Sequence, residues 1–177
     1  MEKNLYFCNV KTEQLDAAME IIEQGRAYLK SQGLDQWQNG YPNKDSILTD
    51  IQNEKGYFLT DGQHQFAYLC MDFDGEPAYN NIKGNWLTDQ NAKYMVIHRL
   101  AFNAAHRGKG LSSTLLHLAE QFCKEKGIKS IRMDTDPDNK IMQHIMKKAS
   151  FTYCGTIWFA GGDKLAYEKT LDGENLI

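Results

Sequence analysis

Residues 102–112 read Phe-Asn-Ala-Ala-His-Arg-Gly-Lys-Gly-Leu-Ser, a turn with paired glycines and cations between an apolar run and a long amphipathic segment. That combination suits an anion. Backbone N–H groups in the first turn of a helix have no intrahelical partners, and the helix dipole adds partial positive charge at the same end. Glycine at 108 and 110 removes the Cβ atoms that would hold a phosphate away from those amides. Arg107 and Lys109 add charge at the rim. The stretch therefore predicts a site for a phosphate-bearing ligand.

Spacing narrows the choice of ligand. A Walker A loop needs Gly-x-x-x-x-Gly-Lys-Ser/Thr, and Gly108-Lys109-Gly110-Leu111-Ser112 has neither that spacing nor a Lys-Ser pair. A dinucleotide fingerprint needs a third glycine where Ser113 stands, and it belongs to the first βαβ unit of a chain rather than past its midpoint.

The elements that would carry this turn follow from hydrophobic periodicity. Residues 5–10 read as a strand. Leu15, Ala18, Met19, Ile22 and Leu29 keep helical spacing up to a stop at Gly33. Ile47, Leu48 and Ile51 mark a second, shorter helix. Tyr57-Phe58-Leu59 and residues 66–73 read as two strands joined through Asp61-Gly62, and 74–93 as a long loop. Residues 94–102 are apolar on both faces except at His98 and Arg99, as a central strand is. Leu111, Leu115, Leu118, Ala119 and Phe122 form one face of a helix that Gly127 ends. A strand over 128–135 leads to a helix with Asp136 as N-cap and Pro137 in its first position. Met142, Ile145, Met146 and Ala149 are the expected buried face of that helix. Residues 153–159 and 165–171, joined through Gly161-Gly162-Asp163, close the chain as an antiparallel pair. The order predicts an α/β sandwich.

Size and charge exclude several classes. With 177 residues, 42% hydrophobic and 24% charged, the chain is long enough to bury a core as one domain spanning 1–177. A net charge of −3 argues against a nucleic-acid partner, whose phosphates call for excess Lys and Arg. No apolar run approaches the ~20 residues that span a bilayer, and Met1-Glu2-Lys3-Asn4 lacks a signal-peptide pattern, so no membrane partner is expected. Cys8, Cys70, Cys123 and Cys154 form no Cys-x-x-Cys pair; they read as buried free thiols of a cytoplasmic protein, with no metal site.

Arg107-Gly108-Lys109-Gly110-Leu111-Ser112 resembles the Arg/Gln-x-x-Gly-x-Gly/Ala loop of the GNAT superfamily of acyl-CoA-dependent N-acyltransferases. Leu100-Ala101-Phe102, five residues from Phe102 to Arg107, resembles the family's central strand and turn. Arg132-Met133-Asp134-Thr135 and Pro137-Asp138-Asn139 fall where the family has its next strand and helix start, and Ser150-Phe151 stands for its Gly-Phe. The resemblance implies a single-domain fold with a mixed, mostly antiparallel sheet of about seven strands flanked by helices. It implies an acetyltransferase that uses acetyl-CoA as co-substrate, and no metal, to acetylate a small-molecule amine or a protein amino group. A homodimer is compatible with it, the closing hairpin offering an edge.

The resemblance also assigns residues. The amides of Arg107, Gly108, Lys109, Gly110, Leu111 and Ser112 would hold the pyrophosphate of the donor. The main chain of Leu100, Ala101 and Phe102 would pair with its pantetheine arm as an added strand does, and Asn139 would hydrogen-bond that arm. The Leu100 amide is the candidate donor to the thioester oxygen. An ammonium acceptor must lose a proton before attack, which calls for a group titrating near neutrality. Of five histidines, only His98 lies in a central strand, on the same side as Val96, Leu100 and Phe102 and two residues from the proposed carbonyl donor. Many family members carry a proton-donating Tyr four residues before the Gly-Phe glycine. Met146 stands there, and a thioether donates no proton. That substitution keeps a second reading open, a non-catalytic acyl-CoA-binding module. Trp37, Tyr41, Tyr79, Trp86 and Tyr94, with Asp72, Asp74 and Glu76, are the candidates for an acceptor cleft.

Overall fold

The computed structural model describes residues 4–171. Among them the chain runs β1 (Tyr6–Asn9), α1 (Leu15–Ser31), α2 (Lys44–Gln52), β2 (Gly56–Thr60), β3 (Gln65–Asp72), β4 (Lys83–Gly84), β5 (Tyr94–Phe102), α3 (Leu111–Glu125), β6 (Ser130–Thr135), α4 (Lys140–Lys148), β7 (Thr152–Phe159) and β8 (Gly162–Thr170). The strands form an eight-stranded sheet in the order β1-β2-β3-β5-β6-β8-β7-β4. β5 and β6 run parallel, from Tyr94 opposite Ser130 to Val96 opposite Arg132. The pairs β1–β2, β2–β3, β6–β8, β7–β8 and β4–β7 are antiparallel. The fold is the mixed, mostly antiparallel α/β arrangement that the sequence predicts.

The strand beyond the expected count is β4, inside the segment that reads as a loop. Two residues carry no periodicity, so local pattern cannot reveal it. Lys83 and Gly84 pair with Thr156 and Gly155 of β7. The backbones cross so closely that a Cβ on Gly84 would stand 2.1 Å from the Cys154 carbonyl oxygen, which only glycine allows. Because β4 covers β7 at this point, the closing hairpin is not the bare sheet edge expected of it.

Residues gather into two compact units: the chain up to Met71 with His98–Leu111, and Asp72–Ile97 with the chain from Ser112 onward. In the first, Ile21 and Ile22 of α1, Ile47 and Ile51 of α2, Phe58 of β2 and Ala101 of β5 share one core. Helix α2 enters it rigidly, because the Asn43 side chain accepts from Ser46 N–H at 2.9 Å while Ser46 Oγ accepts from Asn43 N–H at 2.8 Å. In the second unit, Tyr79, Val96, Ile157 and Ala166 pack together. Strand β5 contributes Tyr94–Ile97 to one unit and His98–Phe102 to the other.

The helix after β6 begins later than its sequence suggests. Asn139, not Asp136, is the N-cap of α4, its side chain accepting from Met142 N–H at 3.0 Å. Asp136 instead takes the Lys164 ammonium and leads the turn that precedes the helix. On α4 only Met146 is fully buried, and Met142, Ile145 and Ala149 are half-covered. All four cysteines are free, and Cys70, Cys123 and Cys154 are buried. Among the described residues no helix is long and apolar enough to cross a membrane, and no group of three His, Cys, Asp or Glu could hold a metal ion.

Candidate functional site

Nearly all the predicted site lies in the first unit, on β5 and the turn that follows it. That turn is held from both sides. Asn103 N–H donates to the Phe66 carbonyl at 2.8 Å and its side-chain amide to the Gln65 carbonyl at 3.0 Å, tying the end of β5 to β3. The Asn103 carbonyl oxygen of the side chain accepts from Ala105 N–H, while Ala104 N–H donates to Gln24 of α1 at 2.8 Å. Gly108 and Gly110 have φ of +86° and +70°. No atom lies within 4 Å of where a Cβ on either would stand. Their glycine identity thus serves the left-handed backbone and leaves open space over the turn, as an approaching phosphate requires. On that observation the turn fits a diphosphate.

Arg107 departs from its expected place at the rim. Its guanidinium lies 4.1 Å from the centre of the Tyr28 ring and donates to the Phe102 carbonyl at 3.2 Å. A cation over an aromatic face and a satisfied donor fold the side chain onto α1. Arg107 therefore shapes the turn through its side chain, and Lys109 is the exposed cation beside it. Leu111 and Ser112 open α3, half-buried.

On β5, Ala101 packs inward: a Cβ on Gly25 of α1 would meet the Ala101 Cβ at 3.0 Å. Leu100 and Phe102 stay half-buried. His98 is 7% exposed, the one buried histidine among the five. Arg99, between His98 and Leu100, interrupts the extended backbone with φ of +52°. A left-handed conformation costs a residue with a Cβ about 1–2 kcal/mol. Three of the other four have partners: His64 with Asp61, His106 against Phe66 at 4.5 Å, and His117 with Gln121.

Arg99 is anchored by groups that sequence reading did not bring to it. Its Nε donates to Asp50 Oδ2 at 2.7 Å and its Nη2 to Asp50 Oδ1, while Nη1 donates to the Tyr41 hydroxyl at 2.7 Å. The Tyr68 hydroxyl donates to the same Asp50 at 2.7 Å. Burial, and then the charge of Asp50, push the Tyr68 phenol far above its ordinary value. Burial would lower Arg99, but its hydrogen bonds to Asp50 and the charges of Cys70, Tyr41 and Asp50 together outweigh that and raise it. Arg99 and Asp50 thus form a buried salt bridge.

Asn139 and Ser112 belong to the second unit. Asn139 is 6% exposed, and its side-chain oxygen accepts from Met142 N–H at the helix start. Met146, in the position of the family's tyrosine, is fully buried and packs.

The proposed acceptor aromatics fall in both units. Trp37 packs on the first core, and Tyr41 holds Arg99. Tyr79, Trp86 and Tyr94 lie in the second unit, where the Arg132 guanidinium sits 4.2 Å from Trp86 and 3.9 Å from Tyr94. Asp72 and Glu76 accept from the N–H groups of Asp74 and Ala78 as turn caps. The sequence signal for cleft and for core was the same cluster of rings, and only packing separates them.

A sheet of this order, with a paired-glycine turn between its central strand and the next helix, is the architecture of an acetyltransferase. The chain belongs to the acetyltransferase (GNAT) family, whose sequence profile matches residues 26–151. It is similar to a GNAT-family acetyltransferase from Streptococcus agalactiae 2603, at 32% identity over 95% of this chain and 96% of that one, with a TM-score of 0.84. It shares its fold with a GNAT-family acetyltransferase from Listeria monocytogenes 4b F2365, at 16% identity over 94% of each chain and a TM-score of 0.74. It also shares it with AAC(6')-Ib in complex with ribostamycin and coenzyme A, at 19% identity over 94% and 93% of the chains and a TM-score of 0.68. No curated protein sequence matches the chain.

Proposed function

We propose that this acetyltransferase moves an acetyl group from acetyl-CoA to a primary amine by direct attack in a ternary complex. The observation that carries the reading is the open turn at 107–112, with both glycines left-handed and nothing above them. Its amides hold the donor's diphosphate, Leu100–Phe102 pair with the pantetheine arm, and the Asn139 amide meets an arm carbonyl. The donor supplies an activated thioester. The Leu100 N–H polarises its carbonyl, a contribution worth about 3 kcal/mol in comparable sites. His98, buried two residues away, takes the proton of the incoming ammonium. Met146 carries no proton to give, so solvent or another group supplies the departing thiolate.

The acceptor is a small amine or an exposed protein amino group. The fold it shares with AAC(6')-Ib, solved with an aminoglycoside, supports including that class among the amines tested. A thiol-release assay with acetyl-CoA against polyamines, amino acids and aminoglycosides tests the reading. Calorimetry with acetyl-CoA tests donor binding alone. One observation favours a second reading, a non-catalytic acyl-CoA-binding module: the buried thioether of Met146 where the family places its proton donor. Such a module would bind acetyl-CoA but release no thiol with any amine.

A further inference from the structure

We propose that Asp50 is a positioning residue for acetyl transfer: through Arg99 it holds the left-handed break in β5 that aims the Leu100 amide and the His98 ring. The inference rests on the acetyltransferase reading above and adds a residue that touches no substrate.

Three features carry it. Arg99 is the one residue of β5 with positive φ, and it sits directly between the two proposed catalytic groups. Left-handed backbone is sparsely populated for any residue with a Cβ, so it persists only where surroundings over-determine it. Those surroundings are complete here. The Arg99 nitrogens donate to both oxygens of Asp50 and to Tyr41, and the Asp50 and Arg99 side chains are only 5% and 13% exposed. A planar guanidinium held at three points leaves its own backbone little freedom.

The anchor itself is tied into the core. Asp50 lies on α2 between the core residues Ile47 and Ile51 and takes a further hydrogen bond from Tyr68 of β3. A buried ion pair is a weak way to stabilise a core, since apolar packing of equal volume does as well or better. What this pair specifies is a conformation.

Asp50→Asn keeps the volume and the hydrogen-bonding oxygen but loses the charge. In the variant, kcat is expected to fall at least about tenfold while the KM for acetyl-CoA stays within about twofold, the signature of a defect felt by the reacting groups. In that background, Arg99→Ala and Arg99→Gly both delete the guanidinium, but only glycine adopts positive φ without cost. The Arg99→Gly pair is expected to keep a kcat at least about fivefold above the Arg99→Ala pair. An unchanged kcat in Asp50→Asn, or equal rates in the two double variants, overturns the proposal.

A readout independent of turnover separates this claim from the reading beneath it. In ligand-free protein labelled with 15N-leucine, the Leu100 amide resonance, assigned with Leu100→Ile, is expected to move in Asp50→Asn. A stationary Leu100 signal overturns the positioning role. Titration of the wild type with acetyl-CoA tests the enzyme reading: if no leucine amide responds, that reading falls, while the ligand-free comparison still decides what Asp50 holds.

Discussion

Glu168 of β8 is wholly buried with its Oε1 3.0 Å from Nε of Arg132 on the neighbouring β6. The same carboxylate accepts from the N–H groups of Leu87 and Thr88 at 2.6 and 3.3 Å, and from the hydroxyls of Thr88 and Ser130. One buried anion thus straps the segment after β4 to the sheet. Burial alone would raise this carboxyl, but the hydroxyl hydrogen bonds and the Arg132 charge outweigh it and hold it below its ordinary value.

A carboxyl depressed in the folded state contributes stability above its unfolded pKa, here 4.5, and that contribution is lost as pH falls through the folded value. Glu168→Gln should lower stability at pH 7 by about 3 kcal/mol, because Arg132 loses its counter-charge in a buried place. It should also flatten the acid limb below about pH 4.5. Urea melts of both proteins across that range check the sign, and an acid limb equally steep in Glu168→Gln would contradict the assignment.

Gly110→Ala separates binding from folding. A Cβ there meets no protein atom, so the stability loss is confined to backbone strain, about 1 kcal/mol. Acetyl-CoA affinity should fall at least about tenfold, ~1.4 kcal/mol, if that open space is where a phosphate lies. Calorimetry reads this directly, and an unaltered Kd would remove the turn from the donor site.

Ser150 offers a gain in stability. It closes α4 with φ of +66°, Phe151 N–H reaching the Met146 carbonyl at 2.9 Å and Ser150 N–H the Lys147 carbonyl at 3.0 Å. Gly33 and Gly127 take the same position after α1 and α3. Ser150→Gly relieves the left-handed strain and should raise stability by about 0.5–1 kcal/mol, a Tm rise of roughly 2 °C. A lower Tm would show that the serine hydroxyl has a role of its own.

His98→Ala is expected to lower kcat at neutral pH and to regain part of it at high pH, where more of the amine is already deprotonated. The ratio of the two pH–rate profiles is the measurement. Parallel profiles would leave His98 with packing alone.

Much of the molecule was legible before any coordinates. The apolar runs of β2 and β3 around Asp61-Gly62 and the apolar stripe of α3 up to Gly127 are local patterns, and their bounds moved by only a few residues. Where the pattern was shortest it failed. The two residues of β4 have no period, and Asp136-Pro137 is as good a helix start as Asn139 until Lys164 claims the aspartate.

The sequence by itself determined the turn at 107–112 and the family it belongs to, because glycine spacing and a helix start are written in adjacent residues. Tertiary structure alone decided what surrounds that turn. Asp50 meets Arg99 across 49 positions of chain, Glu168 meets Arg132 across 36, and Arg107 bends away from the rim onto Tyr28. Such partners are chosen by which buried donors and acceptors packing brings within reach. The left-handed Arg99 inside an apolar strand likewise has partners, Asp50 and Tyr41, that lie far away in the chain.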